Sequence, residues 1–352
     1  MMVRLGQVRR PRGTFPWTPP FESSEIMVRI RIEGSRENKR ATENKKKGRN
    51  MDIERREFLQ KSAAGVGGVI VGSQIVGAAE VDGETFDPYE TVELGKTGIK
   101  VSRVGIGTGM RGWKRESNQT RMGREKFQSL LKYCFEQGVT YFDVADLYGT
   151  HPYVARAFKD VPREKYVVGT KIWFRQNGLP EKKRPDADVV VERFLKELKT
   201  DYIDLVLLHC VTDEKWNEKL ADQMKILNKL KKKGVIRAHG VSVHSLPALK
   251  TAAKESWVDS VHARINPYGV RMDDKPEKVV PVLKDIREAG KGIVGMKING
   301  EGKFREDPKK RHRSVEYVLQ HDLADTMILG FEKKSEVDDI AACVKRTPVK
   351  AV

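Results

Sequence analysis

The chain has 352 residues, of which 39% are hydrophobic and 33% are charged. This composition excludes a collagen-like or low-complexity chain and is sufficient for one large domain with a buried core. The net charge of +18 is uneven, because residues 1–50 hold thirteen Lys or Arg against five Asp or Glu.

The remaining basic residues are interspersed with acidic ones and accompany no RNP, zinc-finger or basic-zipper pattern. We therefore expect no nucleic-acid partner. Three cysteines are far apart and form no CxxC pair, which argues against a structural metal site or a disulfide framework. They are Cys134, Cys210 and Cys343.

Residues 1–50 lack periodicity and mix Pro, Arg, Lys and Asn, so we predict a disordered segment or a mis-assigned start, with Met51 as the true first residue. A twin-arginine motif follows and precedes a mildly apolar run, Ser62–Ala79. The motif reads Arg55-Arg56-x-Phe58-Leu59-x-Lys61. It resembles a twin-arginine (Tat) signal peptide over residues 51–79, which implies export of the folded chain to the periplasm by the Tat machinery. An amphipathic helix and a permanent membrane span are the alternatives.

The 273 residues from Glu80 onward match the length of one barrel domain. The segment Thr91–Ser102 predicts a hairpin with a Gly-containing turn. Eight short apolar segments then alternate with helix-like segments. The predicted strands are Arg103–Gly107, Thr140–Val144, Tyr166–Lys171, Ile203–His209, Ala238–Ser242, Ser260–Ile265, Ile293–Lys297 and Thr326–Leu329. The predicted helices are Arg124–Gln137, Ala187–Lys199, Glu218–Lys232, Pro247–Glu255, Pro276–Glu288, Arg313–His321 and Ser335–Val344. Eight such units favour a closed (β/α)8 TIM barrel over an open sheet.

Ionisable side chains stand where three consecutive predicted strands end. Asp143 and Tyr148 follow the second strand, Lys171 ends the third, and His209 ends the fourth. Because barrel enzymes build their sites at the carboxyl ends of the strands, these four residues are expected to meet. Each residue alone is equally compatible with packing or with a structural ion pair.

The surrounding motifs resemble those of the aldo/keto reductase family. The matching motifs are F-D-x-A-x-x-Y-G at residues 142–149, Thr-Lys-x-Trp at 170–173, Asp-Tyr-Ile-Asp-Leu…His at 201–209, and the stretches 94–108 and 234–242. The resemblance runs from about residue 91 to 340. It implies an NAD(P)H-dependent oxidoreductase that reduces aldehyde or ketone carbonyls, with a small carbonyl compound as substrate, on a monomer or small homo-oligomer.

The chemistry of carbonyl reduction explains the four residues. The developing alkoxide needs a proton donor, and Tyr148 is predicted to be the general acid. A nearby ammonium lowers the pKa of a tyrosine, so Lys171 is expected to act on Tyr148, with Asp143 holding Lys171 in an ion pair. His209 is expected to donate a hydrogen bond to the carbonyl oxygen and polarise it.

The resemblance also predicts the coenzyme and substrate contacts. The predicted coenzyme-binding residues are Gly107, Thr108, Asp143, Ser242, Met296, Lys297, Gly330 and Lys333. The predicted substrate-binding residues are Trp173, Trp113 and Tyr268. The remaining histidines are predicted to be surface or packing residues. They are His151, His239, His244, His262, His312 and His321. No metal ligand set is predicted.

The positions at which the family binds its coenzyme depart from the family pattern in this sequence. Val243 replaces an Asn, and the usual sixth-strand Gln corresponds to either His262 or Arg264. Gly330, Phe331 and Glu336 occupy the positions of side chains that bind a 2′-phosphate in many NADPH-using members. The choice between NADP and NAD stays open, and NADP is favoured because many members of the family use it. A cofactor-binding regulatory protein with little turnover and a nonenzymatic degenerate barrel are the alternative functions.

Overall fold

The computed structural model describes residues 84–349. The chain divides into two units, Met1–Ala78 and Ala79–Val352, and every described residue belongs to the second. The predictions of a disordered start and of a signal peptide therefore lie outside the described residues.

Two short strands precede a closed barrel of eight parallel strands. The strands are β1 Thr91–Glu93, β2 Lys100–Ser102, β3 Val104–Gly107, β4 Tyr141–Asp143, β5 Val167–Ile172, β6 Ile203–Val211, β7 Ile236–Val243, β8 Ser260–Arg264, β9 Gly292–Met296 and β10 Thr326–Leu329. Strands β1 and β2 pair antiparallel across the segment predicted as a hairpin. The barrel order is β10-β3-β4-β5-β6-β7-β8-β9, so all eight predicted strands are present and the predicted barrel is confirmed.

Helices follow the barrel strands. They are α1 Asn118–Arg121, α2 Arg124–Gln137, α3 His151–Ala157, α4 Ala187–Leu198, α5 Trp216–Lys219, α6 Ala221–Lys232, α7 Leu246–Lys254, α8 Pro276–Glu288, α9 Pro308–Gln320 and α10 Lys334–Arg346. Helix α4 shows why they pack on the barrel, since Val190, Val191, Phe194 and Leu198 recur at helical spacing and are all buried. Helix α2 ends at Gly138, which takes the left-handed conformation at φ 111°.

Two helix predictions need correction, and helices α1 and α3 lie where no helix was predicted. The predicted helix Glu218–Lys232 is two helices, because the chain leaves helical geometry at Leu220. Helix α9 begins at Pro308, before its first apolar residue, and the side chain of Asp307 caps it by accepting from the N–H of Lys310. Helix α3 was not predicted; it is a short helix of seven residues with Pro152 in its first turn.

The core has two layers. The larger one lies between the strands and the helices, and β6 contributes Ile203, Val206 and Leu208 to it. The smaller one fills the barrel interior, where Leu94 and Ile99 from the β1–β2 segment pack with Tyr141 and other inward-facing residues. The interior is therefore filled at the end where the strands begin, and side chains are accessible at the opposite, carboxyl end. Within residues 84–349, no helix combines the length and the apolar character needed to cross a membrane.

Candidate active site

The four residues singled out in the sequence meet at the carboxyl end of the barrel. Asp143 is the last residue of β4, Lys171 lies in β5 and His209 lies in β6. Tyr148 ends a single 3-10 turn, Asp146–Tyr148, that follows β4. All four line one cavity. The parallel register of β4, β5 and β6 brings together side chains that are up to 66 positions apart.

Lys171 and Asp143 form a buried ion pair. The Nζ atom of Lys171 donates to Asp143 Oδ1 at 2.6 Å and to the carbonyl of Val144 at 3.0 Å. The two side chains are only 1% and 4% exposed. Burial acts to raise the pKa of Asp143, but the ammonium of Lys171 and a hydrogen bond from His262 outweigh it and hold the pKa below its usual value. Asp143 is therefore ionised at neutral pH.

Tyr148 and His209 form the second contact of the site. The Tyr148 hydroxyl lies 3.3 Å from His209 Nε2, with the two rings edge to face. Burial and the charge of Asp143 raise the pKa of Tyr148 well above 10, the opposite of the direction expected from the sequence. Burial is the largest cause. Lys171 Nζ lies over the Tyr148 ring, 5.0 Å from its centroid, and makes no hydrogen bond to the hydroxyl, so its charge does not offset the burial. Tyr148 therefore keeps its proton at neutral pH.

Burial and the neighbouring charge of Lys171 lower the pKa of His209 well below 6.5, so this imidazole is neutral at pH 7. Its Nδ1 atom is buried and has no hydrogen-bond partner within residues 84–349. A neutral ring with its proton on Nε2 leaves no buried donor unpaired. Nε2–H can then donate to an oxygen at the mouth of the cavity.

Two glycines hold the Tyr148 ring in place. A Cβ atom added to Gly109 would lie 2.2 Å from the ring, and one added to Gly112 would lie 2.4 Å from it. The backbone after β3 thus passes against the ring at a distance that only glycine permits. This close approach fixes the direction of the hydroxyl.

An elongated cavity of about 290 Å³ runs from this site towards the start of α10. Most of the predicted coenzyme-binding residues line it, namely Gly107, Asp143, Ser242, Met296, Lys297, Gly330 and Lys333. Lys297 is paired within the cavity wall, because its Nζ donates to Glu301 Oε1 at 2.8 Å. The hydroxyl of Ser242 accepts from the N–H of Cys210 at 2.9 Å.

Four predicted contact residues do not line this cavity. Thr108 is fully buried, and its hydroxyl donates to the carbonyl of Asp143 at 2.8 Å, so it links β3 to β4. Trp173 packs edge-on against His209 at 5.1 Å between ring centroids, and Trp113 packs on Trp173 at 6.2 Å. These two rings form a wall beside His209. Tyr268 is 41% exposed and packs on Phe304 instead.

At the end of the cavity near α10, the side chain of Glu336 supplies a carboxylate that the protein itself binds. Glu336 Oε2 accepts from the backbone N–H groups of Glu332 and Lys333 at 2.7 and 3.2 Å. Its Oε1 accepts from Arg305 at 2.8 Å, and Arg305 also pairs with Glu332. The donors in front of α10 therefore already hold an anion, and Arg305 balances its charge.

Several residues in and around this site are absent from the predicted site residues. His262 was predicted to be a surface or packing residue, yet its Nε2 lies 3.1 Å from Asp143 Oδ1. His244, Asn299 and Glu301 line the cavity. The sequence signal for His262 was its alignment, shared with Arg264, with the sixth-strand Gln of the family. The part of the chain that the structure describes contains no cluster of His, Cys, Asp or Glu able to hold a metal ion.

A (β/α)8 barrel with an ionisable cluster at its carboxyl end and a long adjoining cavity defines an enzyme-like barrel protein. The sequence model described as "Aldo/keto reductase family" matches residues 103–314, and the chain belongs to this family.

The relatives support the same assignment. The chain is 31% identical over 223 residues to a soybean (Glycine max) protein named "Probable aldo-keto reductase 1". This alignment covers 61% of the present chain and 61% of the soybean protein. It is 27% identical over 243 residues to the aldo-keto reductase YhdN of Bacillus subtilis, covering 63% of this chain and 69% of the relative. The first alignment thus spans less than two thirds of the soybean protein.

A solved aldo-keto reductase from Bacillus halodurans, in its holo form, superimposes with a TM-score of 0.59 at 24% identity. It covers 74% of this chain and 93% of the solved chain. At this identity the likeness concerns the fold.

Proposed function

We propose that the chain is an NAD(P)H-dependent oxidoreductase that reduces aldehyde or ketone carbonyls to alcohols. The observation that carries this proposal is the contact between the Tyr148 hydroxyl and His209 Nε2, next to the buried pair of Lys171 and Asp143. The contact faces the long cavity and combines a protonated phenol with a neutral imidazole. Both groups can address one carbonyl oxygen.

Each residue of the site has a separate role in carbonyl reduction. The nicotinamide coenzyme supplies the hydride when it is bound. His209 Nε2–H orients the carbonyl oxygen, and Tyr148 gives its proton to that oxygen as negative charge develops there. The alkoxide is a stronger base than the phenolate, so the high pKa of Tyr148 does not prevent the transfer. The ammonium of Lys171 then stabilises the phenolate, 5.0 Å from the ring centroid.

The residues that line the cavity suit a nicotinamide coenzyme. The cavity wall contains an unpaired polar atom, since Asn299 Oδ1 is buried and has no hydrogen-bond partner among the described residues. Ser242, Met296 and Lys297 line the part near Tyr148 and would hold the nicotinamide half. Lys333 lines the part near α10 and would hold the adenosine half. Met296 offers a soft apolar surface for the ring.

We infer that NAD(H) binds more tightly than NADP(H). This reverses the preference for NADP that the resemblance to the family suggested. Glu336 already occupies the backbone donors in front of α10. Glu332 lies beside it, and one guanidinium, that of Arg305, serves both carboxylates. A 2′-phosphate would add a further anion to this group, whereas a ribose hydroxyl can donate to a carboxylate.

Carbonyl reduction is tested with the full-length protein. Mixing with NADH or NADPH should change the coenzyme fluorescence, and a panel of aldehydes should then oxidise the coenzyme. Tyr148→Phe should bind coenzyme unchanged and lose at least about 100-fold in turnover, because the proton donor is gone. Unchanged turnover in this variant would contradict the mechanism. Coenzyme binding with no turnover in the wild type would favour a regulatory protein, and no binding would favour a nonenzymatic barrel.

We further propose that residues 51–79 direct the folded chain out of the cytoplasm through the Tat machinery, starting from Met51. The support is the motif around Arg55 and Arg56 with the apolar run behind it. Export of a folded protein would let the coenzyme bind before translocation. In a Tat-competent bacterium, the wild type should be found in the periplasm, and the variant with Arg55→Lys and Arg56→Lys should stay in the cytoplasm. Equal distribution of the two would contradict export by this route.

A further inference from the structure

Two buried side chains, His262 and Tyr141, lie next to the Lys171–Asp143 pair on the side of the barrel interior. His262 on β8 and Tyr141 on β4 are both fully enclosed. His262 Nε2 lies 3.1 Å from Asp143 Oδ1 and 3.1 Å from the Tyr141 hydroxyl. The same Oδ1 atom accepts from Lys171 Nζ at 2.6 Å. One carboxylate oxygen therefore carries the contacts of both the lysine and the histidine.

The surroundings determine which proton His262 carries. An ionised carboxylate can only accept, so His262 Nε2 must be the donor to Asp143. The Nδ1 atom is buried without a hydrogen-bond partner in residues 84–349, and a proton there would be an unpaired buried donor. Burial lowers the pKa of His262, although the contact with Asp143 opposes this. The ring is thus neutral, with its single proton on Nε2.

Tyr141 fixes the histidine ring. Its side chain passes between two glycines, since a Cβ on Gly105 would lie 2.9 Å from the Tyr141 ring and one on Gly169 would lie 2.3 Å from its hydroxyl. The tyrosine cannot move aside without displacing β3 or β5. Its hydroxyl oxygen lies 3.1 Å from His262 Nε2 and shares the Nε2–H with Asp143, so the fixed tyrosine limits the movement of the histidine ring.

We propose that His262 is a positioning residue for carbonyl reduction: its Nε2–H holds the Asp143 carboxylate in its ionised form, so that Lys171 remains an ammonium beside Tyr148. The inference rests on the proposed function and extends it to a residue outside the four predicted ones. His262 acts through Asp143 and Lys171 and does not itself line the cavity.

The physical reason is the cost of a buried charge pair. In a low-dielectric interior, a proton can pass from the ammonium to the carboxylate and leave a neutral pair. A hydrogen bond to the charged form of a carboxyl group opposes this. The titratable or charged groups that face the pair come from four different strands or the loops after them. They are Tyr141, Tyr148, His209, His262 and Lys297.

The test compares His262→Phe with His262→Gln in the full-length protein. Phenylalanine keeps a ring of similar size but cannot donate, whereas the glutamine amide can donate and does not titrate. In the Phe variant, Asp143 becomes protonated at higher pH, so the acid limb of the kcat profile should move up by about one pH unit. The plateau should fall by up to about tenfold, according to how far the neutral pair gains population relative to the ionised pair. Coenzyme affinity should not change.

The Gln variant should restore both the position of the acid limb and most of the plateau. If His262 served packing alone, the Gln variant would be no better than the Phe variant, and the acid limb would not move. Either of these results would overturn the proposal. If the Phe variant does not fold, the Gln variant and the spectroscopic test still decide.

The spectroscopic test does not depend on activity. In protein labelled with ¹⁵N-histidine, His262 should be a neutral Nε2–H tautomer at neutral pH, and Asp143→Asn should shift its Nε2 signal. A proton on Nδ1, or an Nε2 signal that does not change in Asp143→Asn, would contradict the role of His262. A wild type that reduces no carbonyl would contradict the proposed function and leave this readout intact. The two failures are therefore distinguishable.

Discussion

Lys171 Nζ lies 2.6 Å from Asp143 Oδ1 at the carboxyl end of the barrel, and neither side chain is more than 4% exposed. This pair places a positive charge beside the Tyr148 ring without exposing it to solvent. The charge is useful only while its partner is present, because an unpaired buried ion is costly. The pair therefore couples the stability of the barrel to the chemistry of its site.

Asp143→Asn should lower the free energy of unfolding by about 3 kcal/mol, because it leaves the ammonium of Lys171 buried and unpaired. The double variant with Asp143→Leu and Lys171→Met should recover most of that loss, since it removes both charges. Urea unfolding measures both effects. Neither variant should reduce carbonyls. A double variant as unstable as the single one would show that the loss comes from packing.

Gly109→Ala and Gly112→Ala should each lower kcat by at least about tenfold, because the new methyl group would lie 2.2 or 2.4 Å from the Tyr148 ring and must displace it. Steady-state kinetics measures this change. The far-ultraviolet dichroism spectrum serves as the control for folding and should be unchanged. Wild-type turnover in both variants would mean that the Tyr148 ring tolerates a shift.

Glu336→Arg should tighten NADPH binding at least about tenfold relative to NADH binding, because it frees the donors in front of α10 and replaces an anion with a cation. Fluorescence titration gives both dissociation constants. Glu192→Arg makes the same charge change on an exposed face of α4, outside the cavity, and should leave the ratio unchanged. An equal effect of the two variants would point to the net charge of the protein as the cause.

The acid stability of the barrel should depend on Glu197. Partial burial acts to raise its pKa, but hydrogen bonds from His151 and Arg193 hold the pKa at about 2. Because the folded-state pKa lies below the usual glutamate value, the ionised carboxylate stabilises the fold above about pH 4.5. This contribution is lost as the pH falls towards 2.

Glu197→Gln should therefore flatten the fall in unfolding free energy between about pH 4.5 and 2 by roughly 1–2 kcal/mol. Chemical unfolding at a series of pH values measures the slope. Glu192→Gln removes an exposed carboxylate from the same helix and should have little effect. Equal slopes for the wild type and Glu197→Gln would contradict the role given to this contact.

Helix boundaries show what local patterns can and cannot predict. Helices α2 and α8 were predicted to the residue, because apolar spacing and clear end signals agree there. The start of α9 was missed, since its first turn is polar and only the cap at Asp307 marks it. A local pattern thus predicts an element well where its buried face extends over the whole element.

The sequence by itself predicted the barrel and the four residues that meet at its carboxyl end, because alternating strands and helices and short motifs are encoded locally. Only the tertiary structure decided how those residues act. It buried Tyr148 near the charge of Asp143, with Lys171 over the ring, and these surroundings raise the pKa of the tyrosine where the sequence predicted a lowered one. It also brought His262 to Asp143, across 119 positions of chain. Burial and through-space contacts set these properties, and both arise only when the eight strands close into a barrel.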